Sequence, residues 1–377
     1  MAPDNIAEIS SLLKQELADT KFQCDELHPL SGGHANYVFR GRLTTPLADG
    51  TSEVLIKHGE GYQSMNRAFP LPTSRCTIES ACLSALQDLP PPQPNPWCVL
   101  RTPRVHHFNA ATNTQIQEYL PHAIDLKNYA LKRYSTPTPA AQRTQCLGIG
   151  SGLGRWLRGF HDWAAQGQAA AAAALALRES AAQNRALQRL KHFSYYEYLV
   201  TRLVGALPDV LGAHEDVLRQ IARMAERELE DDAALQVVHG DFWTGNVLLP
   251  DAEISEPTAM TMFVVDWEVV SLGIRERDIG QMLAELYQLE LYKGIDAGLW
   301  LMEGFLGGYG SLSREAAFRT AIHVGCHLVV IGGSVYGWGT AEDNKRVVAF
   351  GRDVMLNAWK KDEAWFEGRP LHQLFRG

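Results

Sequence analysis

The chain has 377 residues, enough for two lobes that each bury a core of their own. Its 35 basic and 43 acidic residues give a net charge of −8, and the absence of a long Lys or Arg block argues against a nucleic-acid surface as its main business. Six cysteines without a C-x-x-C pair fit neither a zinc cluster nor a small disulfide framework, and the N-terminus has early acids where a signal peptide needs basic residues, so a cytoplasmic protein is expected.

In chain order, apolar spacing predicts a first helix over roughly Asn5 to Leu17. "HPLSGGHANYVFRGRL" and "EVLIKHG" then read as three short strands of an antiparallel meander. Helical spacing of Ile78, Cys82, Leu83 and Leu86 puts Glu79 on a helix that the prolines of "PPPQPNPW" stop. Two further strands, "TPRVHHFNA" and "TQIQEYL", follow, and Pro121 is expected to end the sheet. The rest reads as mainly helical, including the alanine-rich run before Leu190. Gly148, Gly150, Gly152 and Gly154 alternate within "CLGIGSGLGRWLRGFHDW" and satisfy no nucleotide-loop pattern, so they are read as close helix packing. Thr320 to Ala341 has no Asp, Glu, Lys or Arg, but two histidines and five glycines make it a poor lipid-facing span. A buried helix followed by a Gly-rich turn is expected there, and no membrane contact.

Two thirds of the way along lies "VVHGDFWTGNVLL", a polar loop between apolar strands. It gives H-x-D-x-x-x-x-N, and "TMFVVDWEVVSLG" then ends a strand in Asp266. This is the layout of a phosphoryl-transfer site of protein-kinase type. Such chemistry needs a carboxylate to orient a hydroxyl and take its proton, for which Asp241 is the candidate, and oxygen ligands for Mg²⁺, for which Asn246 and Asp266 are candidates. Upstream, Lys57 lies in a strand where it would meet phosphates, Glu79 is its expected ion-pair partner, and Ser31, Gly32 and Gly33 would cover the phosphates with backbone N–H groups.

These elements together resemble the aminoglycoside phosphotransferase and choline kinase superfamily of small-molecule kinases. The likeness spans "LSGGHANYVFR", "LIKHG", "QEYLP", "FHDW", "HGDFWTGNVLL" and "FVVDWE". H-G-D and D-W-E differ from the H-R-D and D-F-G of protein kinases, and no A-P-E follows Asp266. "LSGGHANYVFR", "DFWTGNVLL" and the late "YGWGTAEDNKR" look most like the branch with methylthioribose kinase and 4-hydroxytryptamine kinase. The resemblance implies an α+β, two-lobed fold: an N-terminal nucleotide lobe over 1–117, a hinge at 118–121 where the backbone around Glu118 and Leu120 meets adenine, and a helical C-terminal lobe over 122–377. It also implies ATP and Mg²⁺, and a small-molecule hydroxyl as acceptor.

Each candidate has a plainer reading. His239 is expected to brace the loop, Asp278 to cap a helix or anchor the catalytic loop, and His323 with His327 to be core residues with no acid spaced to join them in a metal site. Glu268 is a candidate extra metal ligand. If ATP sits on the N-terminal lobe, the acceptor must come from the C-terminal side, so Trp267, Glu285, Tyr287, Tyr336 and Trp338 are the candidate acceptor contacts. The competing functional reading is a catalytically dead kinase fold acting as a nucleotide-binding scaffold, which would usually have lost Lys57, Asp241 or Asn246.

Overall fold

Helix α1 (Pro3–Leu17) places Ile9, Leu13 and Leu17 on one face by their spacing of four, and all three are buried. They share a core with Tyr37, Phe39, Val54, Ile56 and Ile116 of the first sheet. That sheet has the order β1 (Cys24–Pro29), β2 (Tyr37–Leu43), β3 (Glu53–His58), β8 (Thr114–Glu118), β7 (Val105–Asn109), every pair antiparallel. Val54 and Ile56 face the α1 core, so strand alternation turns Lys57 to the opposite face, opposite Val38 and Gln115. A small hairpin of β4 (Tyr62–Gln63) and β5 (Asn66–Pro70) leads into α2 (Ser74–Ala85), which carries Glu79. The computed structural model describes residues 3–30, 33, 35–166, 172–232, 234–333 and 338–376.

The first sheet has no strand after Glu118, as expected before Pro121, but strands continue beyond it. A second sheet, in the order β6 (Cys98–Arg101), β12 (Met260–Val264), β11 (Val247–Pro250), β9 (Ala123–Asp125), lies under the loop of interest. Its β6 was not expected as a strand, and it pairs in parallel with β12 from Met260↔Cys98 to Phe263↔Arg101. Residues on both sides of the expected hinge therefore build it. A short ribbon of β10 (Gln236–Val238) and β13 (Ser271–Gly273) brackets the same loop from the other side.

The remainder is helical: α3 (Leu126–Arg133), α4 (Arg143–Ala164), α5 (Ala172–Gln183), α6 (Arg185–His192), two short turns α7 (Val204–Ala206) and α8 (Pro208–Leu211), α9 (Glu215–Glu228), α10 (Arg275–Lys293), α11 (Ala297–Tyr309), α12 (Arg314–His327) and α13 (Ala341–Trp359). Of the alternating glycines, Gly150 and Gly154 pack helix on helix, while Gly148 faces Trp97 and Gly152 faces Cys98 of β6. A Cβ on Gly150 or Gly154 would lie 2.2 Å from the Leu301 carbonyl oxygen or 2.0 Å from that of Phe305 on α11. Gly304 and Gly308 return the contact against Leu147 and Ser151, so the two backbones meet with no side chain between them. Trp156 and Phe160 of α4 stack toward Phe242 and Trp267, which sets the floor of the loop. Among the described residues no helix is long and apolar enough to cross a membrane.

Candidate active site

Val238 ends β10, and the chain turns sharply through His239, Gly240 and Asp241. Gly240 has φ +78°, and a Cβ there would sit 2.6 Å from the Val269 carbonyl oxygen, so only glycine fits the H-G-D turn. Asp278, in the first turn of α10, holds that turn by its carboxylate: Oδ2 accepts from His239 N (2.8 Å) and Oδ1 from Gly240 N (2.9 Å). His161 of α4 bonds the same carboxylate at 3.2 Å and Tyr309 at 3.0 Å. Burial pushes the Asp278 pKa up, but the His161 bond and charge outweigh it and keep the carboxyl below its usual range. Of its two expected roles, Asp278 takes that of loop anchor.

His239 braces the loop. Its Nε2 faces the Val265 carbonyl, which only accepts, and its Nδ1 faces the Asp241 backbone N–H, which only donates. Those partners define a neutral ring with both nitrogens engaged, and burial lowers its pKa in the same sense.

Asp241 is held on three sides. Oδ1 accepts from Lys191 Nζ (2.6 Å) and Gln281 Nε2 (2.8 Å), while Oδ2 meets Asn246 Nδ2 at 3.3 Å. Burial raises its pKa, but Lys191 and the Gln281 bond carry it below the ordinary aspartate value, so the group is an ionised carboxylate. Asn246 Nδ2 also bonds the Asp241 carbonyl at 2.9 Å, which leaves the amide oxygen as the donor Asn246 can offer a cation. Asn246 and Asp266 stand side by side because β11 and β12 pair and Val265 N bonds Asn246 O at 3.0 Å.

Lys57 Nζ reaches Glu79 Oε1 at 2.8 Å and Asp266 Oδ1 at 2.6 Å. Desolvation opposes its charge, yet Asp266 and Glu79 overcome this and hold its pKa above the ordinary lysine value. Glu79 Oε1 also accepts from Trp267 N at 3.1 Å, tying α2 to the residue after Asp266. Asp266 adopts a left-handed backbone at φ 66°, which aspartate tolerates better than most residues.

Glu268 goes elsewhere. Its Oε2 accepts from Asn36 Nδ2 (2.6 Å) and Arg75 Nε (3.1 Å). Arg75, fully buried, uses its other N–H groups on the carbonyls of Glu60, Pro72 and Ala35 and on Asn36 Oδ1. Burial pushes the Glu268 pKa up to about 7. This carboxylate ties Asn36 and Arg75 to the segment after Asp266.

The acceptor candidates divide. Trp267 does not reach an open surface: it is fully buried against Trp156, Phe160 and His239, with Nε1 on the Val264 carbonyl, and it is core. Tyr287 is also core, buried edge-on against Phe350, because it lies off the helix face that carries Gln281 and Glu285. Glu285 does stand beside the loop: Oε1 meets His327 Nε2 (2.7 Å) and Gln288 Nε2 (3.3 Å), and Oε2 has Thr244 Oγ1 at 3.5 Å. Trp338 packs near Tyr292, and the Lys127 ammonium lies 4.3 Å from its ring centroid and 5.7 Å from that of Trp243. Ser31, Gly32 and Tyr336 lie outside the described residues. Gly33 is described, and a Cβ there would meet the Asn36 carbonyl oxygen at 2.9 Å. The Glu118 side chain is taken by a bidentate pair with Arg101 at 2.6 Å, and Leu120 is half-buried beside it.

Sequence reasoning missed Lys191, Gln281, Arg75 and the His327 bond to Glu285. Gln281 and Glu285 carried one signal, a spacing of one helical turn on the helix whose first turn holds Asp278. Lys191 and Arg75 carried none, since neither belongs to a motif and each is delivered by packing.

A kinase-type fold with a lysine–glutamate–aspartate triad and a strand-flanked H-G-D loop defines the class: a phosphotransferase. The comparisons agree. The model of the phosphotransferase enzyme family (APH) matches residues 69–312. The chain is 31% identical over 367 residues to phosphotransferase FrzJ of Cladobotryum sp, covering 94% of this chain and 93% of that protein. It is 20% identical over 334 residues to 4-hydroxytryptamine kinase of Psilocybe cubensis, covering 85% and 84%. Among solved structures, the GDP complex of aminoglycoside 2'-phosphotransferase-IIIa aligns with a TM-score of 0.51 at 10% identity, over 95% of this chain and 99% of that one. Choline kinase from Cryptosporidium parvum Iowa II aligns at 0.50 with 9% identity, over 96% of each. The chain belongs to the phosphotransferase enzyme family, and it is a small-molecule kinase.

Proposed function

We propose that the protein transfers the γ-phosphoryl group of ATP to a hydroxyl of a small metabolite or alkaloid-like amine. The observation that carries this reading is the convergence of Lys57, Glu79 and Asp266 with the Asp241 and Asn246 loop on adjoining strand ends. In it, Asp241 orients the acceptor hydroxyl and takes its proton, Lys57 steadies the phosphates, Glu79 holds Lys57, and the glycine segment Ser31–Gly33 covers them. Residues 1–117 serve as the nucleotide lobe, 118–121 as the hinge and 122–377 as the acceptor lobe.

An amide oxygen from Asn246 and a carboxylate from Asp266 are hard oxygen donors, a set that suits Mg²⁺. Bound there with the nucleotide, Mg²⁺ would neutralise phosphate charge. Among the described residues no three His, Cys, Asp or Glu side chains gather as a protein-only metal cage, and Mg²⁺ habitually takes one or two protein oxygens plus phosphate and water.

The amine reading rests on Glu285. This buried carboxylate has one oxygen on His327 and Gln288 and only a long contact from Thr244 on the other, so it can receive a cation one helical turn from Gln281, the partner of Asp241. A relative named for 4-hydroxytryptamine, an amine, points the same way. An inactive scaffold is disfavoured because Lys57, Asp241, Asn246 and Asp266 are all present and brought together. The test is ADP release from Mg-ATP over a panel of hydroxylated amines, amino alcohols and sugars. Acceptor-dependent release that Glu285→Gln weakens through acceptor KM, with nucleotide affinity unchanged, supports the reading. Release strongest with neutral sugars and indifferent to Glu285→Gln overturns the amine half of it.

A further inference from the structure

Lys191 ends on the catalytic carboxylate, and nothing in the sequence pattern assigns it. Its placement is built. Asn184, the residue that caps the start of α6, and Gln188 and Lys191 within it are spaced i, i+4 and i+7, which puts them on one side. Asn184 Nδ2 donates to the carbonyls of Glu268 and Val270 at 2.8 Å each, and Gln188 Nε2 donates to that of Leu272 at 2.6 Å. Three side-chain bonds to the segment from Glu268 to Leu272 therefore fix the register of α6, and the third position delivers an ammonium to Asp241 at 2.6 Å. The side chains of Lys191 and Asp241 keep 21% and 23% of their exposure, so the pair faces an opening and is not sealed in core.

An ammonium has three N–H donors. Among the described residues the one hydrogen-bond acceptor of Lys191 is Asp241, with the Tyr195 ring 5.3 Å from Nζ. Geometry limits where the transferred group can be. The acceptor oxygen must lie roughly 2.6–3.2 Å from an Asp241 oxygen and about 3 Å from the phosphorus it attacks. An ammonium already on Asp241, at the end of a four-carbon stem, is within reach of that phosphorus's oxygens. Lys57, bonded to Asp266 and Glu79, serves the other end of the triphosphate.

We propose that Lys191 is a catalytic residue of the transfer: one N–H holds Asp241 in place while the others bond the γ-phosphoryl oxygens. This rests on the ATP reading above. In the step, the bond from the acceptor oxygen to the γ-phosphorus forms and the bond from that phosphorus to the β–γ bridging oxygen breaks. The electron pair leaves with ADP, the acceptor proton passes to Asp241, and Lys191 keeps its protons throughout. Its contribution is positive charge on the acceptor side of the phosphoryl group.

The test is calorimetric titration of the full chain with Mg-ADP and with the Mg complex of the non-hydrolysable imido analogue of ATP. Lys191→Met is expected to bind Mg-ADP as the parent does and the analogue about 10- to 100-fold more weakly, the effect of losing charged hydrogen bonds. Lys191→Arg should recover most of that loss. Asp241→Asn, which releases the ammonium, should widen the preference for the analogue over Mg-ADP, and it decides the matter if Lys191→Met proves unfolded by circular dichroism. Equal binding of the analogue by parent and Lys191→Met, or an equal loss for both nucleotides, would overturn the proposal. A parent that binds neither nucleotide would instead remove the ATP reading beneath it.

Discussion

Asp266 joins three constraints in one residue: a left-handed backbone, a side-chain bond to Lys57, and a position beside Asn246. Asp266→Ala removes the carboxylate that Mg²⁺ would use, so nucleotide binding should lose its Mg²⁺ dependence. Titration of ATP with and without Mg²⁺ checks this, and the expected loss of the Mg²⁺-dependent increment is at least about tenfold. An unchanged increment would move the ligand role away from Asp266. That Asp241 meets Asn246, and Lys57 meets Glu79 and Asp266, was legible in the sequence from the H-x-D-x-x-x-x-N spacing, the strand ending in Asp266 and the order of the upstream elements. Trp267 was misread for a related reason. Its neighbour Asp266 faces the cleft, but the left-handed turn sends the indole the other way, into the Trp156 and Phe160 cluster. Residue type named an aromatic face, while local backbone geometry decided where it points.

At the scale of elements, α4 and α11 show how composition fixes an approach distance. Gly154→Ala would drive a Cβ to 2.0 Å from the Phe305 carbonyl oxygen, so it should destabilise the protein by about 1–3 kcal/mol. Gly159, on the same helix, has nothing within 4 Å of its would-be Cβ, so Gly159→Ala should stabilise by roughly 0.5–1 kcal/mol. Thermal unfolding of the two variants should move in opposite directions; shifts of the same sign would count against the close-packed account. The alternating glycines made this contact readable in advance. β6 was not readable, because "CVLR" is a four-residue run after a proline-rich stretch, and its strand partner lies far along the chain at Met260–Phe263.

The Asp278 anchor makes an element-scale prediction in pH. Burial raises its pKa and His161 more than reverses this, so the folded value is depressed. Its stabilising contribution is therefore present above the unfolded aspartate value of about 3.9 and is lost as pH falls through the lower folded one. Asp278→Asn should cost on the order of 3 kcal/mol at pH 7 and markedly less at pH 3. Denaturant titrations at the two pH values test it, and a pH-independent cost would mean that the charge of Asp278 is not what holds the loop.

At the scale of the molecule, charged side chains tie the first sheet and α2 to one short segment, Asp266 to Glu268. Lys57, Glu79 and Asp266 link the first sheet and α2 to the second sheet, and Arg75 with Asn36 and Glu268 repeats that link a few residues away. The two-lobed α+β architecture was legible from strands followed by helices, and the family match over residues 69–312 spans both halves. The acceptor side was the least legible part, because Lys191, Gln281, Glu285 and His327 come from three helices with no shared motif. The central claim is that Asp241 acts as the base of an ATP-dependent transfer. Its most direct test is Asp241→Asn, followed on one preparation by nucleotide affinity and by single-turnover phosphoryl transfer to an acceptor found in the panel. The account predicts nucleotide binding at least as tight as the parent's and turnover reduced about 10²- to 10⁴-fold, the usual cost of losing a general base. Transfer at the parent's rate by Asp241→Asn would contradict it.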